Sequence, residues 1–177
     1  NDLVLFKSHY YGGIKKYQWT TIPLAMHGRV VRRDGTFVDI RLGEEPDEPQ
    51  FCVTDLLPHL GAEQMNKTLS KAIEGENLNI LIGSRPIRAD KGSNLFKLNI
   101  MKLIHEKYDI VEEDFVSAEI EFVPAFPARD VGFDKSMIGG YGHDDRVCAY
   151  PAIEAAIHCK TPKQTILTVL ADKEEVG

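Results

Sequence analysis

The chain has 177 residues, 43% of them hydrophobic and 27% charged, with 27 acidic against 21 basic side chains and a formal net charge of −6. These proportions exclude overall disorder and leave room for one sizeable core, and the acidic balance argues against nucleic acid or an anionic membrane surface as the main partner. No apolar run approaches the ~18 residues of a membrane span, and the three cysteines, Cys52, Cys148 and Cys159, lack zinc-finger spacing, so a reducing, cytoplasmic setting is expected.

Leu3-Val4-Leu5-Phe6 reads as a buried strand with almost no polar leader, and Tyr10-Tyr11-Gly12-Gly13 as a turn before the aromatic stretch ending at Trp19. From Ala25 the pattern is β. Residues His27 to Arg33 and Thr36 to Leu42 flank Asp34-Gly35, a strong hairpin signal. Residues 43 to 49 are acidic and proline-bearing, hence a loop, and Phe51-Cys52-Val53 is a short strand. Pro58, in Leu56-Leu57-Pro58-His59-Leu60, suits a first helical turn or a kinked connection.

Leu78 to Ile82 is a further short strand. Ser93 or Asn94 is placed to cap a helix running to about Lys107, whose residues Leu95, Leu98, Met101, Ile104 and Tyr108 recur at three- and four-residue steps and mark a buried face. Val116, Ala118, Ile120 and Phe122 alternate with Ser117, Glu119 and Glu121, the period of a strand with one wet face. Beyond residue 130 a glycine-rich approach, Gly132, Gly139, Gly140 and Gly142, leads to His143-Asp144-Asp145-Arg146. Val147, Tyr150, Ile153 and Ile157 then suggest a helix of about fifteen residues with Pro151 in its first turns. A buried strand is expected over Thr165 to Ala171, as in an α/β sheet. Two units divided near residue 130 are expected, and both ends read as cut from a longer chain.

Two acidic clusters stand out: Asp144-Asp145, and Asp172-Lys173-Glu174-Glu175 just past the last expected strand. Loops beyond strand ends in open α/β sheets are where ligands bind, and carboxylates gathered there invite a divalent cation. The residues alone leave a second possibility open, since an Asp pair at a helix start also caps it and a charged run after a strand is also a solvated turn. His59, His105, His143 and His158 show no HxxxH or HExxH spacing, and the cysteines read as small hydrophobes. Phosphate-loop and serine-hydrolase motifs are absent from the sequence.

Several stretches carry a resemblance: Tyr10-Tyr11-Gly12-Gly13-Ile14-Lys15-Lys16-Tyr17-Gln18-Trp19, Gly28 to Gly35, Thr54 to Leu60, Pro127 to Asp134, Tyr141 to Tyr150, and the closing Asp172-Lys173-Glu174-Glu175-Val176-Gly177. Together and in this order they resemble the aspartyl aminopeptidase and vacuolar aminopeptidase I family, most closely its bacterial members. The resemblance implies a dinuclear zinc exopeptidase that removes residues from peptide N-termini. It implies that Asp144 bridges two zinc ions, Glu174 is the general base and Glu175 binds one metal. Two ions ~3.5–4 Å apart share a carboxylate, polarise the scissile carbonyl and acidify a bridging water, whose proton a glutamate passes to the leaving amine.

The implied fold is part of a three-layer α/β catalytic domain, contributed by residues 1–21 and 133–177, with an inserted β-rich dimerisation domain over 22–132. Homo-oligomers form through that insertion, and His59 is a candidate to reach the substrate in a neighbouring subunit. The family's other ligands would precede residue 1 and follow residue 177, so the isolated segment is expected to be inactive. Two alternatives remain: an oligomerisation module without catalysis of its own, because Asp144 and Glu175 alone fall short of the three protein ligands of catalytic zinc, and a related dinuclear peptidase family.

Overall fold

A computed structural model describes residues 3–88 and 92–173. The chain forms two compact units, Asn1–Phe126 and Pro127–Gly177. Residues 3–21 lie in the first unit with the β-rich middle of the chain.

In the first unit β1 (Val4–Phe6), β5 (Ile80–Gly83) and β4 (Cys52–Val53) form one antiparallel sheet in the order β1-β5-β4. A second antiparallel sheet has the order β3-β2-β6, from β2 (Leu24–Val31), β3 (Phe37–Leu42) and β6 (Glu119–Pro124). The hairpin expected at Asp34-Gly35 is present as β2 and β3. Its loop has three residues between Arg32 and Thr36, whose backbone groups close it (Arg32 N–H to Thr36 O, 2.7 Å). Gly35 takes φ 83°, the left-handed position that such loops reserve for glycine. Asp34 Oδ1 accepts from Thr36 N–H at 2.9 Å and pins the loop.

The inward faces follow the period-two pattern. Leu24, Met26, Val30, Ile40 and Leu42 are buried, while Arg29 and Asp39, directly paired across β2 and β3, face solvent and join through a bidentate ion pair of 2.6 and 2.9 Å. Phe6, Phe51 and Phe122 touch both clusters of buried residues, with Phe51 and Phe122 in an edge contact of 5.4 Å between ring centres. Gly28 lies on β2 opposite Ile120 of β6. A Cβ there would collide with the Glu119 carbonyl oxygen and stand 2.9 Å from Ile120 Cα.

The helix expected from residue 95 is α3 (Leu95–Tyr108), ended by Asp109 at φ 53°. Arg32 reaches its last carbonyls, donating to Tyr108 O at 2.7 Å and Asp109 O at 3.1 Å. Two expectations fail here. Leu98 is half exposed, because the covered face turns instead through Ile100, Ile104 and Tyr108. Val116 is fully outside: residues Glu112–Ser117 form a 3-10 turn, started by Asp114 Oδ2 accepting from Val111 N–H at 3.0 Å, so β6 begins only at Glu119. The short helices α1 (Ala62–Met65) and α2 (Leu69–Ala72) complete this unit.

The second unit holds a hairpin of β7 (Arg129–Val131) and β8 (Met137–Gly139), then α4 (His143–His158). The helix starts four residues before Val147, so Pro151 falls in its interior, not its first turns, and leaves the Val147 carbonyl without its helical donor. The strand expected over Thr165 to Ala171 does not form among the described residues. That stretch is irregular and exposed, Leu167 at 84% and Val169 at 72%, since a strand exists only beside a partner whose backbone completes its ladder. Val147, Tyr150 and Ile157 of α4 are likewise exposed, and so are Cys148 and Cys159, which therefore do not act as core residues. Every strand ladder among the described residues is antiparallel.

Candidate functional site

The glycine-rich approach to α4 is a shaped turn. Gly142 precedes the helix at φ 77°, a conformation that strains any residue with a Cβ, and a Cβ at that position would also run into the Arg146 guanidinium. Arg146 folds back over the turn, its Nη1 donating to Tyr141 O at 3.2 Å and to Gly142 O at 3.1 Å. His143 Nε2–H donates to the Ile138 carbonyl at 3.0 Å and ties the helix start to β8. That engagement removes one ring nitrogen from ligand duty.

Asp144 and Asp145 occupy the first turn of α4 and cap nothing: no side-chain cap bond is made at this end. Both are exposed. Their charges are favoured there by the helix dipole, and the Asp144 carboxylate is left able to take a cation. Glu174 and Glu175, the predicted base and second ligand, lie outside the described residues. Their neighbours Asp172 and Lys173 are described, in contact with each other at 3.2 Å.

Zinc sets a demanding standard for this donor set. A catalytic zinc takes three protein ligands, nitrogen, sulfur or oxygen, and no group of three or more His, Cys, Asp or Glu side chains converges among the described residues. Asp144 fits one donor position by chemistry and accessibility; the described residues do not complete a site around it.

His59 lies in the first unit, exposed, on the turn over Pro58 to Leu60. The turn closes on itself, with the Leu57 carbonyl accepting from Leu60 N–H and Gly61 N–H, each at 2.9 Å. Sequence reasoning missed the residue at its base. Asp55 Oδ1 accepts from Leu56 N–H at 2.8 Å and from the Gln64 side-chain amide at 2.9 Å. The Gln64 amide foremost holds the Asp55 carboxyl below the usual carboxylate range; desolvation opposes it, and the Leu56 N–H adds a lesser lowering effect. An acid nine residues before a glutamine carries no periodic signal.

The family described as aminopeptidase I zinc metalloprotease (M18) matches residues 1–177. The chain belongs to the M18 family. A probable M18 family aminopeptidase 1 of Clostridium acetobutylicum is 58% identical over 176 residues, covering 99% of this chain and 38% of the relative. The crystal structure of aminopeptidase I from the same organism superposes with a TM-score of 0.85 at 50% identity, over 93% of this chain and 36% of that one. An M18 aminopeptidase structure from Thermotoga maritima gives 0.84 at 47% identity, over 92% and 35%. The chain thus spans about two fifths of the length of the curated M18 relatives it matches.

Proposed function

We propose that these residues are part of a dinuclear zinc metalloaminopeptidase that hydrolyses N-terminal residues from peptides. The observation that carries this is the M18 match over all 177 residues, together with a likeness over 92–93% of this chain to bacterial M18 aminopeptidase structures. Asp144 and Glu175 would hold the metal, and Glu174 would be the general base. Bound zinc would supply positive charge to polarise the peptide carbonyl and acidify water. Glu174 takes a proton from the attacking water as its oxygen bonds to the carbonyl carbon. It delivers that proton to the amine nitrogen as the C–N bond breaks. Arg146 and His143 serve by fixing the turn that presents Asp144.

Residues 22–132 would be the inserted dimerisation domain, flanked by catalytic-domain pieces 1–21 and 133–177 within a three-layer α/β fold. Five exposed apolar side chains, Leu56, Leu57, Leu60, Met65 and Leu69, crowd the segment around His59 and support an interface with a second copy there. That interface would bring His59 to the neighbour's substrate. The apolar, exposed stretch 165–171 would become a strand beside catalytic-domain partners that the described residues do not contain. A cytoplasmic setting is consistent with the free cysteines Cys52, Cys148 and Cys159 and with the lack of a membrane-spanning helix among the described residues.

The test is Glu174→Gln in the intact protein. Loss of peptide hydrolysis by roughly 10²–10⁴-fold with zinc content unchanged supports the base assignment, whereas full activity removes it.

A further inference from the structure

We infer that Asp55 is a positioning residue for His59, holding the turn that carries it through a clasp to Gln64; this rests on the proposed role of His59 at a neighbouring subunit's substrate.

The residues around His59 give it little to lean on. Leu56, Leu57 and Leu60 are exposed, at 57%, 68% and 71%, so packing within this chain does not fix the turn. Short turns of this kind sample other conformations unless polar contacts select one. Backbone bonds close residues 57–61 on themselves, and the side-chain contacts that tie this turn to its flanks converge on a single carboxylate oxygen. Asp55 Oδ1 takes the Leu56 N–H at the entry to the turn and the Gln64 amide from α1 beyond its exit, and so ties together the two sides between which residues 57–61 arch.

The base of the clasp is rigid. Val53, two residues before Asp55, is buried at 2% exposure and paired with Ile80, and its carbonyl accepts from Thr21 N–H at 2.7 Å. Thr20, at 9% exposure, bridges to the same Val53, and its hydroxyl donates to the Tyr17 carbonyl at 3.1 Å. On the other side Gly61 admits the close approach. A Cβ there would stand 3.2 Å from Gln64 Oε1 and 3.3 Å from the Leu57 carbonyl oxygen, a tight fit against the glutamine side chain. Core sheet, carboxylate, amide and short helix form one connected support, with His59 at the crest of the arch.

A histidine that binds substrate equally in ground state and transition state affects KM and leaves kcat alone. If the clasp selects the competent turn, its loss dilutes that conformation and weakens apparent substrate binding by the same factor, roughly fivefold for one net hydrogen bond. The experiment uses the intact oligomeric enzyme and an unblocked peptide substrate. His59→Ala, Asp55→Ala, Gln64→Ala, Asp55→Asn and the double variant Asp55→Ala/His59→Ala are compared by steady-state kinetics, with unfolding midpoint and oligomeric mass as checks on folding.

The expected result is that Asp55→Ala and Gln64→Ala each raise KM roughly fivefold with kcat within twofold. Asp55→Asn, whose side-chain oxygen still accepts from both donors, restores KM, and Asp55→Ala adds nothing once His59 is alanine. A raised KM for His59→Ala with an unchanged KM for Asp55→Ala overturns the clasp and leaves the His59 assignment standing. An unchanged KM for His59→Ala overturns that assignment, and the positioning role of Asp55 with it. A variant that loses mass or unfolds early is judged through Gln64→Ala, which removes the same bond from the opposite, exposed side.

Discussion

Replacing Gly28 by alanine places a methyl group between two strands already in contact. The Cβ would overlap the Glu119 carbonyl oxygen and lie 2.9 Å from Ile120 Cα and 3.1 Å from the Glu119 carbonyl carbon. All three are backbone atoms of β6, so no rotamer change relieves the clash. Relief requires the β2–β6 ladder, which runs from Leu24 opposite Pro124 to Arg29 opposite Glu119, to open near its end, where Gly28 pairs with Ile120. Overpacking of this kind costs about 1–3 kcal/mol, and lost ladder bonds place Gly28→Ala toward the upper end. Alanine also reduces the freedom of the unfolded chain, which returns about 0.4–1 kcal/mol. The net expectation is a loss of roughly 2 kcal/mol, or about 5–10 °C in unfolding midpoint for a unit of this size. Calorimetric unfolding of the intact protein measures it, and hydrogen exchange should show faster exchange at the amides of β2 and β6. Gly13→Ala is the control, since nothing lies within 4 Å of its Cβ position and its φ is not positive. Equal stability of Gly28→Ala and wild type, or equal losses from both substitutions, would refute the close approach of the two strands.

Arg32→Ala frees the Tyr108 and Asp109 carbonyls at the end of α3 and should cost about 1 kcal/mol in chemical denaturation. Arg32→Lys should recover only part of this, because an ammonium lacks the fork that serves two carbonyls; full recovery by lysine contradicts the bidentate contact. Glu48 holds the loop after β3 by accepting from Gly43 N–H at 2.8 Å, and from the Glu44 and Glu45 N–H groups. Chiefly the Gly43 N–H depresses its carboxyl below the ordinary 4.5. A depressed folded-state value means stability present above about pH 4.5 and lost as the pH falls through the depressed value. Glu48→Gln should therefore lower the unfolding midpoint at pH 7, with the gap to wild type closing in acid; a gap constant from pH 7 to pH 3 would count against it.

Local chemistry made the hairpin at Asp34-Gly35 legible, because the glycine conformation and the aspartate contact that build its loop lie within five residues. The alternation of Ile120 and Phe122 with Glu119 and Glu121 was equally readable. Val116 fits the same alternation and yet stands outside it, since a 3-10 turn started by Asp114 competes for the segment and periodicity does not register a single carboxylate. The stretch 165–171 has the composition of a buried strand but no ladder partner among the described residues. Composition records that a segment is apolar and not what it pairs with. The site was less legible still. Asp144 was visible as half of an acidic pair, but its role as a ligand came only from the order of motifs along the whole chain, as its local setting resembles any helix start. Asp55 passed unnoticed because its partners, Leu56 N–H and the Gln64 amide, are joined by a turn whose shape the sequence does not spell out.

The most direct test of the central claim is peptide hydrolysis by the intact protein, comparing a peptide with a free N-terminus and the same peptide acetylated there, with zinc bound and after chelation. A zinc aminopeptidase releases the N-terminal residue from the free peptide only, loses that activity on chelation and regains it with added zinc. Cleavage of the acetylated peptide at the same rate, or hydrolysis that persists undiminished after zinc is removed, would contradict it.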